Sequence, residues 1–161
     1  MPETLEEQLQ RIDAEGKTLV FASFDNDDSL ALGTLLVEKA RTRSLAVAID
    51  IERCGERLFF AALPGSTPDN AGWIERKKRL VNRVHRSSFA VGLELRATGK
   101  TLEQRMLLEE KDYAPHGGCV PVAVANVGFV GTVTVSGLPQ EQDHALVVEA
   151  MREHLARRAK S

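Results

Sequence analysis

Residues 116–121, His-Gly-Gly-Cys-Val-Pro, set an imidazole and a thiol three residues apart around two glycines. A base beside a thiol can take its proton and leave a nucleophilic thiolate, and the same two side chains can ligate a haem iron. The simpler account is a tight Gly117-Gly118 turn with Cys119 as a small apolar filler at the start of a strand. It is preferred because no local catalytic-cysteine signature surrounds Cys119, which stands as the one candidate catalytic residue, beside His116. A second string, Ser136 to His144 (SGLPQEQDH), ends a strand, turns at Gly137-Leu138-Pro139 and brings Gln140, Asp143 and His144 to the start of a helix. His144 lies at helical spacing from Val148, Met151 and Leu155, so a place at the edge of a packed face suits it. His85 and His154 have no evident partners in the pattern.

The third string is Pro68-Asp69-Asn70, leading into a basic helix that carries Trp73 and Lys77. At 100° per residue, Arg76, Arg79, Arg83 and Arg86 form one stripe. Trp73, Ile74, Leu80, Val81 and Val84 form the opposite apolar face. A charge stripe of this kind usually meets water or the acidic residues of neighbouring helices; an anion site or a docking edge is the sharper alternative. Lys77 falls on the apolar side. It must run its stem to the rim, pair with a carboxylate, or face a pocket. Asp25, Asp27 and Asp28 lack the spacing of a calcium loop and read as a turn with a helix N-cap. No metal site is inferred. Neither GxGxxG, a Walker pattern nor a nucleophile elbow is present, which removes the common nucleotide-binding and serine-hydrolase fingerprints.

The elements that would position these groups follow from periodicity and turn residues. Helices are expected at Glu3–Ala14 (ended by Gly16), about Ser29–Arg43, Ala71–Arg86 after an Asp-Asn cap, Ser88–Ala97, Thr101–Leu108 and Glu141–Ala159. The last should bury Val147, Val148, Met151 and Leu155. Strands are expected at Thr18–Phe24, Leu45–Ile51, Arg57–Leu63, Cys119–Ala125 and Gly128–Gly137. Hairpins dominate this order. It predicts an α+β fold: an antiparallel sheet with flanking helices on one or both faces, not a doubly wound parallel sheet.

The 161 residues are the size of one domain, so residues 1–161 are read as a single unit. Apolar residues make up 43% and charged residues 27%, ordinary for a globular chain, and aromatics only 5%, so Ala, Val and Leu must build the core. A net charge of −2 argues against a general nucleic-acid binder. Cys54 and Cys119 give no disulfide framework or zinc spacing. The acidic start, MPETLEEQLQRID, does not resemble a signal peptide, and no apolar run is long enough for a membrane span. A cytoplasmic protein is expected.

Four segments together resemble one family: FDNDDSLALG (Phe24–Gly33), FFAALPGSTPDNAGWIERKKRLV (Phe59–Val81), HGGCVPV (His116–Val122) and VGTVTVSGLPQEQDHALVVEAM (Val130–Met151). They cover nearly the whole chain in order and resemble the uncharacterised protein family 0303, a branch of the haem-degrading-domain superfamily. The resemblance implies a profilin-like α-β-α sandwich. It also implies a homo-oligomer, a dimer or a higher ring, because relatives form dimers that build into rings. Some superfamily relatives bind or degrade haem, and others occur as domains in cobalamin-related proteins. No haem-ligand motif maps onto this chain residue by residue, so haem is a candidate cofactor only by family.

The motif-bearing loops are expected to converge on one cofactor-binding face made of Asp69, Asn70, Trp73, Lys77, His116, Gly117, Gly118, Cys119, Gln140, Asp143 and His144. Three functions are carried forward. The first is an oligomeric ligand-binding protein for haem or another tetrapyrrole, with His116, Cys119 or His144 as axial ligand and the arginines near the propionates. The second is an adaptor that docks a partner protein through the basic helix. The third is an enzyme, haem-degrading or dependent on Cys119.

Overall fold

The computed structural model describes residues 1–160. The elements run α1 (Leu5–Thr18), β1 (Val20–Phe21), α2 (Asn26–Thr42), β2 (Ala48–Arg53), β3 (Glu56–Ala62), α3 (Pro68–Val84), α4 (Ser88–Thr98), α5 (Leu102–Met106), β4 (Cys119–Val124), β5 (Gly128–Ser136) and α6 (Gln140–Ala159). The sheet order is β1-β4-β5-β2-β3. The β2–β3, β2–β5 and β4–β5 pairs are antiparallel, as expected. The β1–β4 pair is parallel and two residues long, so the sheet is mixed. Fold class and element order match the sequence reading.

Period-two alternation gives the sheet two unlike faces. Ile49, Ile51, Val120, Val122, Val133 and Val135 point to α2 and α6 and form the main core with Leu32, Leu36, Val147 and Met151. Each such side chain, fully buried, contributes on the order of 2 kcal/mol. Residues one step out of phase (Asp50, Thr132, Thr134, Ser136 and Cys119) are also buried. This second face lies under α3, whose Lys77 and Lys78 are buried with it. One layer is therefore apolar and the other polar, and the polar layer is where chemistry can be placed.

Several boundaries differ from expectation for local reasons. α1 starts after a Thr4–Glu7 capping box and runs through Gly16 to Thr18. The expected strand at 18–24 shrinks to Val20–Phe21, because Asp25 caps α2 and accepts the N–H of Asp28 at 2.9 Å, pulling Asn26–Asp28 into the first turn. α3 starts at Pro68, not Ala71. Thr67 is its N-cap, and the Asn70 side-chain Oδ1 accepts the Thr67 N–H at 2.8 Å. It stops at Val84 because His85 turns left-handed at φ 58°. Arg86 thus lies outside the helix, and Val84 and Leu155 are only half-buried.

Candidate functional site

The first turns of α3 and α6 meet above the end of β5. Between them lies a cavity of about 440 Å³ lined by Asp69, Asn70, Trp73, Lys77, His116, Gln140 and Asp143, with Ser136, Gly137 and Leu138 as its floor. Seven of the eleven side chains or turn residues singled out in the sequence border this one space. Gly117 and Gly118 are buried in the turn beneath His116. Cys119 and His144 are not part of the lining.

Lys77 is held in that wall by three elements. Its ammonium, 3% exposed, donates to Asp143 Oδ2 at 3.2 Å and to the Val135 carbonyl at 3.2 Å. This is the ion-pair outcome among those open to a lysine on an apolar face. Asp143 Oδ1 accepts the Leu138 N–H at 3.0 Å, so one carboxylate ties α3 to the turn before α6. Gly118, at φ +136°, permits the approach, because a Cβ there would overlap the Val135 carbonyl and lie 2.7 Å from Lys77 Nζ. Burial is the dominant influence on both partners. It pushes the Lys77 amine below and the Asp143 carboxyl above their ordinary values, against the attraction between them.

His116 stands at the rim. Its ring meets Trp73 edge to face with centroids 5.5 Å apart, and the Arg76 guanidinium lies 4.0 Å over the indole. Sheltering of the ring, then the nearby Lys77 charge, lower the His116 pKa, so a neutral imidazole with a free lone pair faces the cavity at pH 7. Gly117 donates its N–H to Gln140 Oε1 at 3.0 Å, which locks the His116 turn to α6.

Cys119 lies elsewhere. It is fully buried, its backbone N–H donates to Ser88 Oγ at 3.1 Å, and burial pushes its thiol up to about 12. An attacking thiolate needs the opposite, exposure and a lowered value. Iodoacetamide under native conditions is therefore expected to label Cys54, which is exposed, and to reach Cys119 only after denaturation. Mass spectrometry of the native digest checks this, and native labelling of Cys119 would contradict it.

His144 faces α1: its ring pairs with Glu15 Oε1 at 2.9 Å and packs 4.9 Å from the Phe89 ring. The histidines with no evident partner in the sequence have partners in the fold. His154 pairs with Asp28 Oδ1 at 3.0 Å, joining α6 to the start of α2, and His85 stacks on Phe129 at 4.0 Å and 7°. These contacts join residues more than forty apart, which no local spacing reveals. The arginine stripe is largely engaged. Arg76 and Arg79 donate to the Glu110 and Asp112 carbonyls, and Arg86 pairs with Asp13 and Glu94. No group of three or more metal-binding side chains occurs among the described residues, and no helix there is long and apolar enough to cross a membrane.

The chain matches a family model described as haem degrading protein HbpS-like over residues 24–152. It is 56% identical over 147 residues to the UPF0303 protein SCO2848 of Streptomyces coelicolor, spanning 91% of this chain and 93% of that one. Among solved structures it resembles the Ybr137w protein, with a TM-score of 0.87, 31% identity and coverage of 94% and 89% of the two chains. The crystal structure of a PduOC:heme complex aligns with a TM-score of 0.65 at 20% identity, covering 83% of this chain and 94% of that one, a likeness of fold alone. By the family match and by its UPF0303 relatives, this chain belongs to the HbpS-like haem-degrading protein family.

Proposed function

We propose that the protein binds a small molecule in the cavity between α3 and α6, with haem or another tetrapyrrole as the ligand class and His116 as the iron ligand. One observation carries this reading: a neutral imidazole at the rim of a 440 Å³ cavity, beside an indole and a guanidinium. His144 and His154 are held by carboxylates, His85 by a stacked ring, and the Cys119 thiol is sealed in. His116 is thus the imidazole best placed to reach an incoming iron. Trp73 offers a flat apolar contact to a macrocycle, and Arg76 a cation to its carboxylates. Family membership and the haem named for the PduOC structure support the ligand class. The free thiols Cys54 and Cys119 suit a reducing cytoplasm. We also place the chain in a homo-oligomer, a reading supported by the resemblance and by the edge strand β3, where Phe60 is 39% exposed.

The test is a hemin titration of the purified protein beside His116→Ala, Cys119→Ala and His144→Ala variants, each checked for folding by circular dichroism. A saturable, stoichiometric Soret shift is expected in the parent and in the last two variants, and its loss in His116→Ala. Weak, unsaturating shifts that survive all three substitutions would end the haem reading.

A further inference from the structure

A second concavity, of about 460 Å³, shares no lining residue with the first. It lies between the C-terminal half of α1 and the edge of β4 that the short β1 leaves uncovered. Leu19, Val120, Pro121, Ala123 and Val148 give it apolar walls. The coplanar His85–Phe129 stack adds a flat one. Among its charged lining residues Asp13 pairs with Arg86 at 3.3 Å, Glu15 pairs with His144 and lies 3.7 Å from Arg152, and Lys17 is exposed. Two carboxylates stand against Lys17 and Arg86, so the lining as a whole asks for no net charge on an occupant.

One polar atom is unaccounted for. His144 lines the cleft, is 4% exposed, and its Nδ1 has no hydrogen-bond partner among the described residues. Buried polar atoms are nearly always paired, so an unpaired one calls for an explanation. Glu15 decides what this atom can do. Burial raises the Glu15 pKa, but its contacts with His144, Arg152 and Arg11 outweigh that and hold it below the ordinary value, so Glu15 is an ionised carboxylate. A carboxylate accepts only, so Nε2 carries a proton and donates it to Glu15. In the neutral tautomer that leaves Nδ1 as a bare acceptor in an apolar setting.

We infer that the cleft between α1 and β4 is a second ligand site, with His144 in that neutral tautomer, for a flat, uncharged apolar molecule that offers one hydroxyl or N–H to His144 Nδ1. Its volume lies within the usual range for small-molecule sites, and apolar walls with a few placed polar groups are their usual construction. The inference does not depend on haem: it uses different residues and a different mouth.

The probes are 1-naphthol and 1-methoxynaphthalene, which share a ring system but differ in the donor. Isothermal titration calorimetry is expected to show saturable 1:1 binding of 1-naphthol, with the methoxy compound at least tenfold weaker. In 15N-labelled protein the His144 Nδ1 resonance should move on adding 1-naphthol and stay in place with the methoxy compound. His144→Lys keeps a donor for Glu15 and offers no acceptor, so it should bring the two affinities together. Ala123→Phe, filling the cleft, should abolish both, and intact circular dichroism of each variant separates these effects from unfolding. Absence of binding, equal affinities in the parent, or binding that survives Ala123→Phe would each overturn the inference. The hemin result in the other cavity is independent of all three.

Discussion

Lys77→Met should cost about 3–5 kcal/mol of stability, the usual result of removing one member of a buried ion pair. In a chain of this length that lowers the melting temperature by roughly 10 °C. The cause is the carboxylate left behind. Asp143 is 2% exposed, and without the ammonium its Oδ2 would face the cavity wall with no cation. Adding Asp143→Asn should restore most of the loss. The amide oxygen can still accept the Leu138 N–H that Oδ1 accepts at 3.0 Å, and no charge remains to be compensated. The deficit should also depend on pH. Burial already raises the Asp143 carboxyl with Lys77 present, and removing the ammonium raises it further. A folded carboxyl above its unfolded value of about 3.9 holds a proton that the unfolded chain releases, so stability is lost as pH rises through that interval. Thermal melts of Lys77→Met should therefore lie closer to the parent at pH 4 than at pH 7. A single variant as stable as the parent at pH 7, or a double variant no better than the single, would show that the pair does not hold α3 to α6.

How far the sequence could reach is shown by the residues around that pair. Hairpin spacing and the 3.6-residue stripes placed every helix and strand, because those signals are local. The mixed sheet was missed because β1 is two residues long and pairs with β4 about a hundred residues away, which no window around Val20 can register. Lys77 was conspicuous as a cation on an apolar stripe. That its partner is Asp143 was not legible, since 66 residues separate them and the α6 turn brings them together. The fold brings together the residues carried by the starts of α3 and α6 and by the His116 turn, and sets Cys119 and His144 apart from them for one geometric reason each. Cys119 is the first residue of β4 and points under α3, between Ser88 and Thr134, while His144 follows Asp143 by 100° on α6 and so turns to α1. The polar sheet face beneath α3 could have been suspected from Asp50, Glu52, Thr132 and Thr134, which share one phase in β2 and β5.

Lys78, the next residue of α3, should show that a buried charge network can be asymmetric. Its ammonium lies 3.4 Å from Asp50, 2.9 Å from Glu52 and 3.0 Å from Glu75, and Arg57 reaches Asp50 at 2.9 Å and Glu75 at 3.2 Å. Two cations thus serve three carboxylates. Burial lowers the Lys78 pKa, but the three carboxylates together outweigh it and hold the amine above its ordinary value, opposite to Lys77 with its one carboxylate. A raised amine contributes stability that is fully present below the unfolded value and lost as pH rises through the folded one, so at pH 7 it is intact. Lys78→Met removes it and leaves Asp50, 0% exposed at the middle of β2, with Arg57 alone; a loss of about 3 kcal/mol or more is expected. Asp50→Asn acts on the other side of the same network. It removes the carboxylate whose burial is costliest, leaves Lys78 with Glu52 and Glu75, and keeps an acceptor for Arg57. Its cost should stay within about 1 kcal/mol of zero, because replacing a desolvated charge by a neutral hydrogen-bonding isostere gives back the desolvation term. Urea melts of the two variants at pH 7 check the contrast. Equal losses would mean that Asp50 is worth as much charged as Lys78, and that Arg57, half exposed on the edge strand, does not share the load.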